Sequence, residues 1–410
     1  SDALGTRLYF TYVENDQEFP GALSRAQFKE DPDQGGTDVL QGDFQKDVET
    51  WRLASKTTWQ LVQNQRLDFG FSYEEQTLFH PIVADFGGDN PFFDGLLIDT
   101  DHRDVGAMVR YEQQIANHNL LFGANYRVGE VEGEQFGNNG GERGDLQTLV
   151  EQEADTLQAY FMDRWRIGEH WTLVPGVQFV NAHRELNNIS VTNPLIPGLE
   201  QTLNRTDGDY SSVNPRLGVI YHVQPEFDLF ANVSRLYEPP TNFELEDQVT
   251  GGDEALDAME GTVVEVGTRG KHPIGRTSSW EWNLALYYAW INNEILSVED
   301  PAQPGDFLTS NVDDTLHAGI EALVTAHFAL DADGVHAIEP IISLTVNEFK
   351  FDDHSDFGDN DLPAAPGYVV KAEVLYRHAN GFYAGPTFDV VDDRFADFAN
   401  SYRVDSYTLL

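Results

Sequence analysis

No cysteine occurs among the 410 residues, which excludes disulfides and cysteine-ligated zinc and leaves the redox compartment open. Basic residues are scarce: 25 Lys and Arg stand against 69 Asp and Glu, a formal net charge of −44. That balance excludes nucleic acid as a partner, because phosphates need basic contacts. Long apolar runs are missing too. The longest, Leu284–Ile291, falls far short of the ~20 residues that a spanning helix requires. No leader pattern opens the chain: "SDALGTRLYFTYVEND" starts directly with strand-like sequence. This fits either a cytoplasmic protein or a precursor whose start lies outside this sequence.

What the sequence does contain is alternation. In "WEWNLALYYAW" (280–290), Trp280, Trp282, Leu284, Leu286, Tyr288 and Trp290 occupy every second position, and Glu281, Asn283, Ala285, Tyr287 and Ala289 fill the other column. Side chains of a strand alternate faces, so this stretch has one lipophilic face and one mixed face. The same rhythm recurs in Leu67–Tyr73, Val105–Tyr111, Leu120–Val128 and Val370–Tyr376. Sixteen candidate strands can be counted, and no helical period competes with them.

The connections alternate as well. Seven are tight, around Asn64, Asn117, Gly168, Gln224–Pro225, Pro273–Gly275, Ala332–Gly334 and Asn380–Gly381. Between them run long acidic, Gly-rich connections, roughly 15–48, 75–102, 130–153, 186–211, 238–259, 297–315, 351–366 and 392–404. Short turns at one end and long loops at the other are the asymmetry of an outer-membrane barrel. The ten steps from Trp280 to Trp290 span ~33 Å, and a tilt of about 40° leaves ~25 Å of height, matching the apolar band of such barrels. Trp280, Trp282, Tyr288 and Trp290 then fall at the two lipid–water interfaces. The expected fold is all-β, a transmembrane antiparallel up-and-down β-barrel. A soluble sandwich explains one lipophilic face but neither the aromatics at both ends nor the alternating connections.

No nucleophile–base–acid constellation, phosphate loop or His-x-x-x-His pair occurs, so no catalytic or metal site and no cofactor is expected. The acidic stretch "FDDHSDFGDND" (351–361) fails the spacing of an EF-hand and reads as a solvated loop. The pair Phe92 and Phe93, within a polar loop, is a candidate ligand contact or a cover for the barrel mouth. Arg110, Arg127, Arg216, Glu281, Glu321, Glu373 and Arg377 fall in the non-lipid column. An inward position suits them, since Arg or Lys on the lipid face costs about 2–4 kcal/mol at mid-membrane. Arg235 falls in the outward column, where a register shift or snorkelling would explain it. The negative charge is expected mainly in the long loops.

Several stretches resemble the barrel of TonB-dependent outer-membrane receptors. They are "NPRLGVIYHVQPEFDLFANVSRLYEPPTNFELED" (214–247), "EVGTRG" (265–270), "WNLALYYAWINNEIL" (282–296), "NVDDTLHAGIEALV" (311–324) and the run from Leu362 to Leu410, in that order. "EFPGALSRAQFKEDP" (18–32) resembles a loop of siderophore-receptor relatives. The resemblance implies a Gram-negative outer-membrane location, a plug domain, a 22-strand barrel and energy supplied by the TonB–ExbB–ExbD complex. It implies uptake of an iron–siderophore or similar iron chelate. Against that pattern the chain reads as an incomplete barrel, about 16 of 22 strands over residues 1–410, without plug, N-terminal strands or last C-terminal strands. The alternatives are a passive porin, for which 16 strands is a fitting number, and a soluble secreted β-protein.

Overall fold

The computed structural model describes residues 3–410 except 22, 85–94, 192–201, 247–254, 300–306 and 313. The strands are β1 (Leu4–Glu18), β2 (Gln45–Val62), β3 (Gln65–Val83), β4 (Leu96–Ile115), β5 (His118–Asn139), β6 (Glu142–Ile167), β7 (Trp171–Ser190), β8 (Thr202–Gln224), β9 (Phe227–Glu238), β10 (Met259–Ile274) and β11 (Ser278–Asn292). A hairpin of β12 (Glu294–Glu299) and β13 (Phe307–Val312) precedes β14 (Thr315–Ala329), β15 (His336–Phe351) and β16 (Tyr368–His378). The short strands β17 (Tyr383–Ala384), β18 (Thr387–Val391), β19 (Arg394–Phe395), β20 (Arg403–Val404) and β21 (Tyr407–Leu409) finish the chain.

Each long strand pairs antiparallel with its neighbour in sequence, giving one 17-stranded up-and-down sheet. The seven tight connections join β2–β3, β4–β5, β6–β7, β8–β9, β10–β11, β14–β15 and β16–β17. In an alternating sheet they therefore fall at one end. The lipophilic column is exposed, as a lipid-facing surface must be: Leu284, Leu286, Tyr288 and Trp290 are accessible, and so are Phe69, Phe71, Val109 and Phe122. No helix among the described residues is long and apolar enough to cross a membrane.

Two expectations need correction. Residues 130–153 are not a loop. β5 and β6 continue through them to a two-residue turn at Gly140 and Gly141, whose φ of 65° and 87° suits glycine. β6 alone has 26 residues, ~85 Å if extended, far beyond the ~33 Å of a tilted crossing, so this hairpin stands above the lipid. There the outer face meets water instead of lipid, and apolar alternation on it is no longer needed. Acidic residues therefore lie on these strands as well as in the loops. Glu130, Glu132 and Glu134 continue the column of Leu120–Val128, and Glu153 and Glu151 stand opposite Glu130 and Glu132.

The second correction concerns helix. Among the described residues three short helices sit in the connections: α1 (Arg25–Glu30), α2 (Thr37–Gly42) and α3 (Asn242–Glu246). Capping boxes start α1 and α3. Gln27 N–H donates to Ser24 Oγ while Ser24 N–H donates to Gln27 Oε1, and Thr241 and Glu244 exchange the same pair of bonds.

Candidate functional site

Cross-strand partners lie on the same face of a sheet, so register alone places the charged candidates. Arg110 stands opposite Gly123, and Gly123 opposite Tyr160. Two positions along β6, Met162 faces Gly176, which faces Arg216. Gly218 continues to Asn232, Asn232 to Glu265 and Glu265 to Tyr287. Ala285 faces Glu321, Glu321 faces Thr345, and Ile341 faces Glu373. By alternation from these partners Arg127, Glu281 and Arg377 join the same face. All seven charged candidates therefore share one side of the sheet, and Trp280, Trp282, Tyr288 and Trp290 take the other. The aromatic pairs touch within their column, Trp280 stacked on Trp282 at 4.7 Å and Tyr288 tilted against Trp290 at 4.5 Å.

A hollow of about 720 Å³ opens on the charged face, bounded by Arg164, Arg216, Glu265, Arg269, Asn283 and Glu321 among others. Its walls come from eight successive strands, β6 to β11, β14 and β15. Laid flat these would extend over ~34 Å. Only a sheet curved towards this face brings them around one space, so the charged face is concave.

Most charges on this face are matched within the wall. Arg66 reaches Asp68 at 2.7 Å, and Arg110 pairs with Glu112. Arg127 pairs with Asp104 at 2.8 Å, Lys271 with Glu281 at 2.5 Å, and Arg377 with Glu339 at 2.7 Å. At the turn end Thr172 Oγ1 lies 3.0 Å from His222 Nε2, His222 Nδ1 lies 2.7 Å from Asp228, and Arg269 donates to Asp228 at 3.1 Å. Among the described residues Arg164, Arg216, Glu265, Glu321 and Glu373 make no hydrogen bond or ion pair through their side chains. Four of these five border the hollow.

Arg164, Glu265 and Arg269 were not singled out from sequence, although each falls in the charged column by the same alternation that found Arg216. Arg235 keeps its outward register opposite Thr262 and pairs with Glu260 on β10. Neither a register shift nor snorkelling is needed. Phe92 and Phe93 lie outside the described residues. No group of three or more His, Cys, Asp or Glu among the described residues is arranged to hold a metal ion. In the 351–361 stretch His354 instead stacks on Phe357 at 4.9 Å, beside the fully buried Phe351.

At the loop end Asp397 organises the 392–404 connection. Its carboxylate accepts from Ser401 Oγ at 2.6 Å and from Tyr402 N–H at 2.8 Å. The Ser401 hydroxyl first, with the backbone N–H groups after it, holds its carboxyl below the usual Asp range.

Known proteins share this architecture. The unliganded ferric citrate transporter FecA superposes on the whole chain with a TM-score of 0.78 at 17% identity, and the chain covers 59% of it. The ferric-catecholate import receptor Fiu of E. coli K12 matches 98% of the chain at a TM-score of 0.69 and 14% identity, and 65% of it is covered. In sequence, the metal-pseudopaline receptor CntO of Pseudomonas aeruginosa is 26% identical over 154 residues, 38% of this chain and 20% of CntO. The chain thus spans less than two thirds of the length of these relatives. The profile of the TonB dependent receptor-like β-barrel family matches residues 1–410 without interruption. A sheet of consecutive antiparallel strands, lipophilic outside and charged within, whose whole length fits that profile, belongs to the TonB-dependent receptor β-barrels of the Gram-negative outer membrane.

Proposed function

We propose that this chain is the barrel portion of a receptor that takes up metal–chelate complexes across the outer membrane, with a ferric siderophore or similar iron chelate as its ligand. The observation that carries the reading is the family match along all 410 residues. The charges without wall partners around the hollow suit a lumen filled by a plug and one filled by water alike, so the family match decides between them. In this reading Arg110, Arg127, Arg216, Glu281, Glu321, Glu373 and Arg377 line the lumen, and the unpaired ones contact a plug domain belonging to the same protein. Trp280 and Trp282 anchor the wall at one lipid–water interface, Tyr288 and Trp290 at the other. The residues present are a partial barrel domain, and the TonB–ExbB–ExbD complex supplies energy through the plug. Phe92 and Phe93 are loop candidates for ligand contact.

CntO's name supports a second ligand class, a chelate of a metal other than iron. Uptake by cells carrying the whole receptor separates the readings. With 55Fe-labelled catecholate, hydroxamate and carboxylate siderophores, uptake of one of them should require both the receptor and TonB. TonB-dependent uptake of nickel or zinc chelates alone would replace iron. Steady conductance of small ions by the whole protein in planar bilayers, with no TonB-dependent uptake, would overturn the receptor in favour of a porin.

A further inference from the structure

The β9–β10 connection is described at 239–246 and 255–258. Its helix α3 rests on the concave face, against β6 and β7. Gln152 and Leu186 are cross-strand partners in the same register that joins Met162 to Gly176. One carboxylate makes the attachment. Glu246 accepts from Gln135 Nε2 on β5 at 3.0 Å, Gln152 Nε2 on β6 at 3.0 Å and Asn188 Nδ2 on β7 at 3.1 Å. On either side of it the wall holds the connection's backbone. Arg184 Nε donates to the Pro240 carbonyl at 2.9 Å, and the Tyr210 hydroxyl donates to the Leu256 carbonyl at 2.9 Å. Leu245 and Leu256 close a small buried core with Leu186. Phe243, on the same helical turn, is 72% exposed.

Bonds from amides to a carboxylate are stronger than bonds between neutral groups. Gln152 and Asn188 are both buried, so losing Glu246 strands two donors where water does not easily replace the acceptor. The three strands that supply the donors are rigid neighbours in one sheet. Their spacing is fixed before the loop arrives, and a single carboxylate at their meeting point holds the loop in one place.

We propose that Glu246 is a latch that fixes the described parts of this connection, 239–246 and 255–258, as a static ledge inside the extracellular mouth. Glu246 is a positioning residue, acting through the helix it anchors. The word mouth rests on the receptor reading, but the latch does not, and its test needs no ligand. In the whole receptor, freed of any cysteine outside this cysteine-free barrel and held in outer-membrane vesicles, Phe243→Cys carries a nitroxide label. A control label goes on Phe28→Cys of α1, which is also exposed. With the latch intact the spectrum at 243 should be that of an ordered backbone. Glu246→Ala should raise its mobile fraction about tenfold, the scale set by unpairing buried donors. The wall-side variant Gln152→Ala/Asn188→Ala should do the same should Glu246→Ala fail to fold. The label at 28 should not change in either, which separates the latch from general loosening. Equal mobility at 243 before and after both changes overturns the latch, and so does parallel loosening at 28.

Discussion

Lys271 and Glu281, 2.5 Å apart on the concave face, show what alternation does and does not give at the scale of one residue. It assigns Glu281 to the face away from lipid. It cannot say that Lys271 neutralises it, because the pairing depends on the register of two strands. That Arg216 and Glu321 lie on the face opposite the lipophilic column was legible, and only their lack of wall partners required coordinates. The β14–β15 turn was legible as a turn, while its chemistry was not. There Asp331 accepts from the N–H groups of Val335 at 2.9 Å, His336 at 3.0 Å and Asp333 at 3.1 Å. The Val335 bond above all pulls its carboxyl below the usual Asp range. The favoured form is the ionised one. The stability it adds is therefore present above the ordinary Asp pKa of about 3.9 and is lost as pH falls through the lower folded value. Hydrogen exchange should show the Val335 and His336 amides protected at neutral pH, beyond their intrinsic rates, and released only below about pH 4. In Asp331→Ala they should be unprotected throughout. An acid step that survives in that variant would assign the effect to another group.

Elements were legible wherever one face meets lipid, since period-two patterning is then obligatory. They were misread where that constraint ends. β5 and β6 above the membrane carry acids on the face that is apolar below, and a run of Glu and Gly reads as loop. The short helices were marked by their capping pairs, Ser24 with Gln27 and Thr241 with Glu244, but helices this short show no period. The upper hairpin also holds a repulsive row. Glu130, Glu153 and Glu185 face one another across β5, β6 and β7. Arg103 pairs with Glu130 at 3.0 Å and Arg205 with Glu185 at 3.4 Å, while Glu153, in the middle, has no ion pair among the described residues. Like charges directly opposite are destabilising. Glu153→Lys should raise stability by about 0.5–1 kcal/mol at low salt, read from the denaturant midpoint of the hairpin's unfolding. The gain should shrink as added salt shortens the Debye length from ~30 to ~8 Å. An unchanged midpoint at low salt would mean that water at this exposed site already screens the row.

For the whole molecule, the architecture followed from three independent regularities: alternation within strands, alternation of short and long connections, and aromatics at both ends of the lipophilic column. Curvature and closure were not in any of them, because both depend on strand tilt and stagger rather than on local pattern. The sheet is curved enough for eight strands to share one hollow. Yet β1 pairs with β2 alone, β21 pairs with β18 alone, and no pairing joins β1 to β21 among the described residues. The free edge of β1 runs through Leu8, Tyr9, Phe10 and Tyr12, all exposed. Such an edge is a template for another strand in water. In lipid its unpaired N–H and C=O groups each cost several kcal/mol, which rules out stable monomeric insertion of these residues alone. The 410-residue chain, refolded by itself with detergent and liposomes, should therefore form edge-paired oligomers or aggregates. It should not give the heat-resistant monomer band and steady unitary conductance of a closed barrel. Cross-linking of single cysteines placed at Tyr9 should capture chain-to-chain contacts along β1. A monomer with reproducible conductance, and with Tyr9 protected by a strand near Tyr407, would show instead that these strands close on themselves.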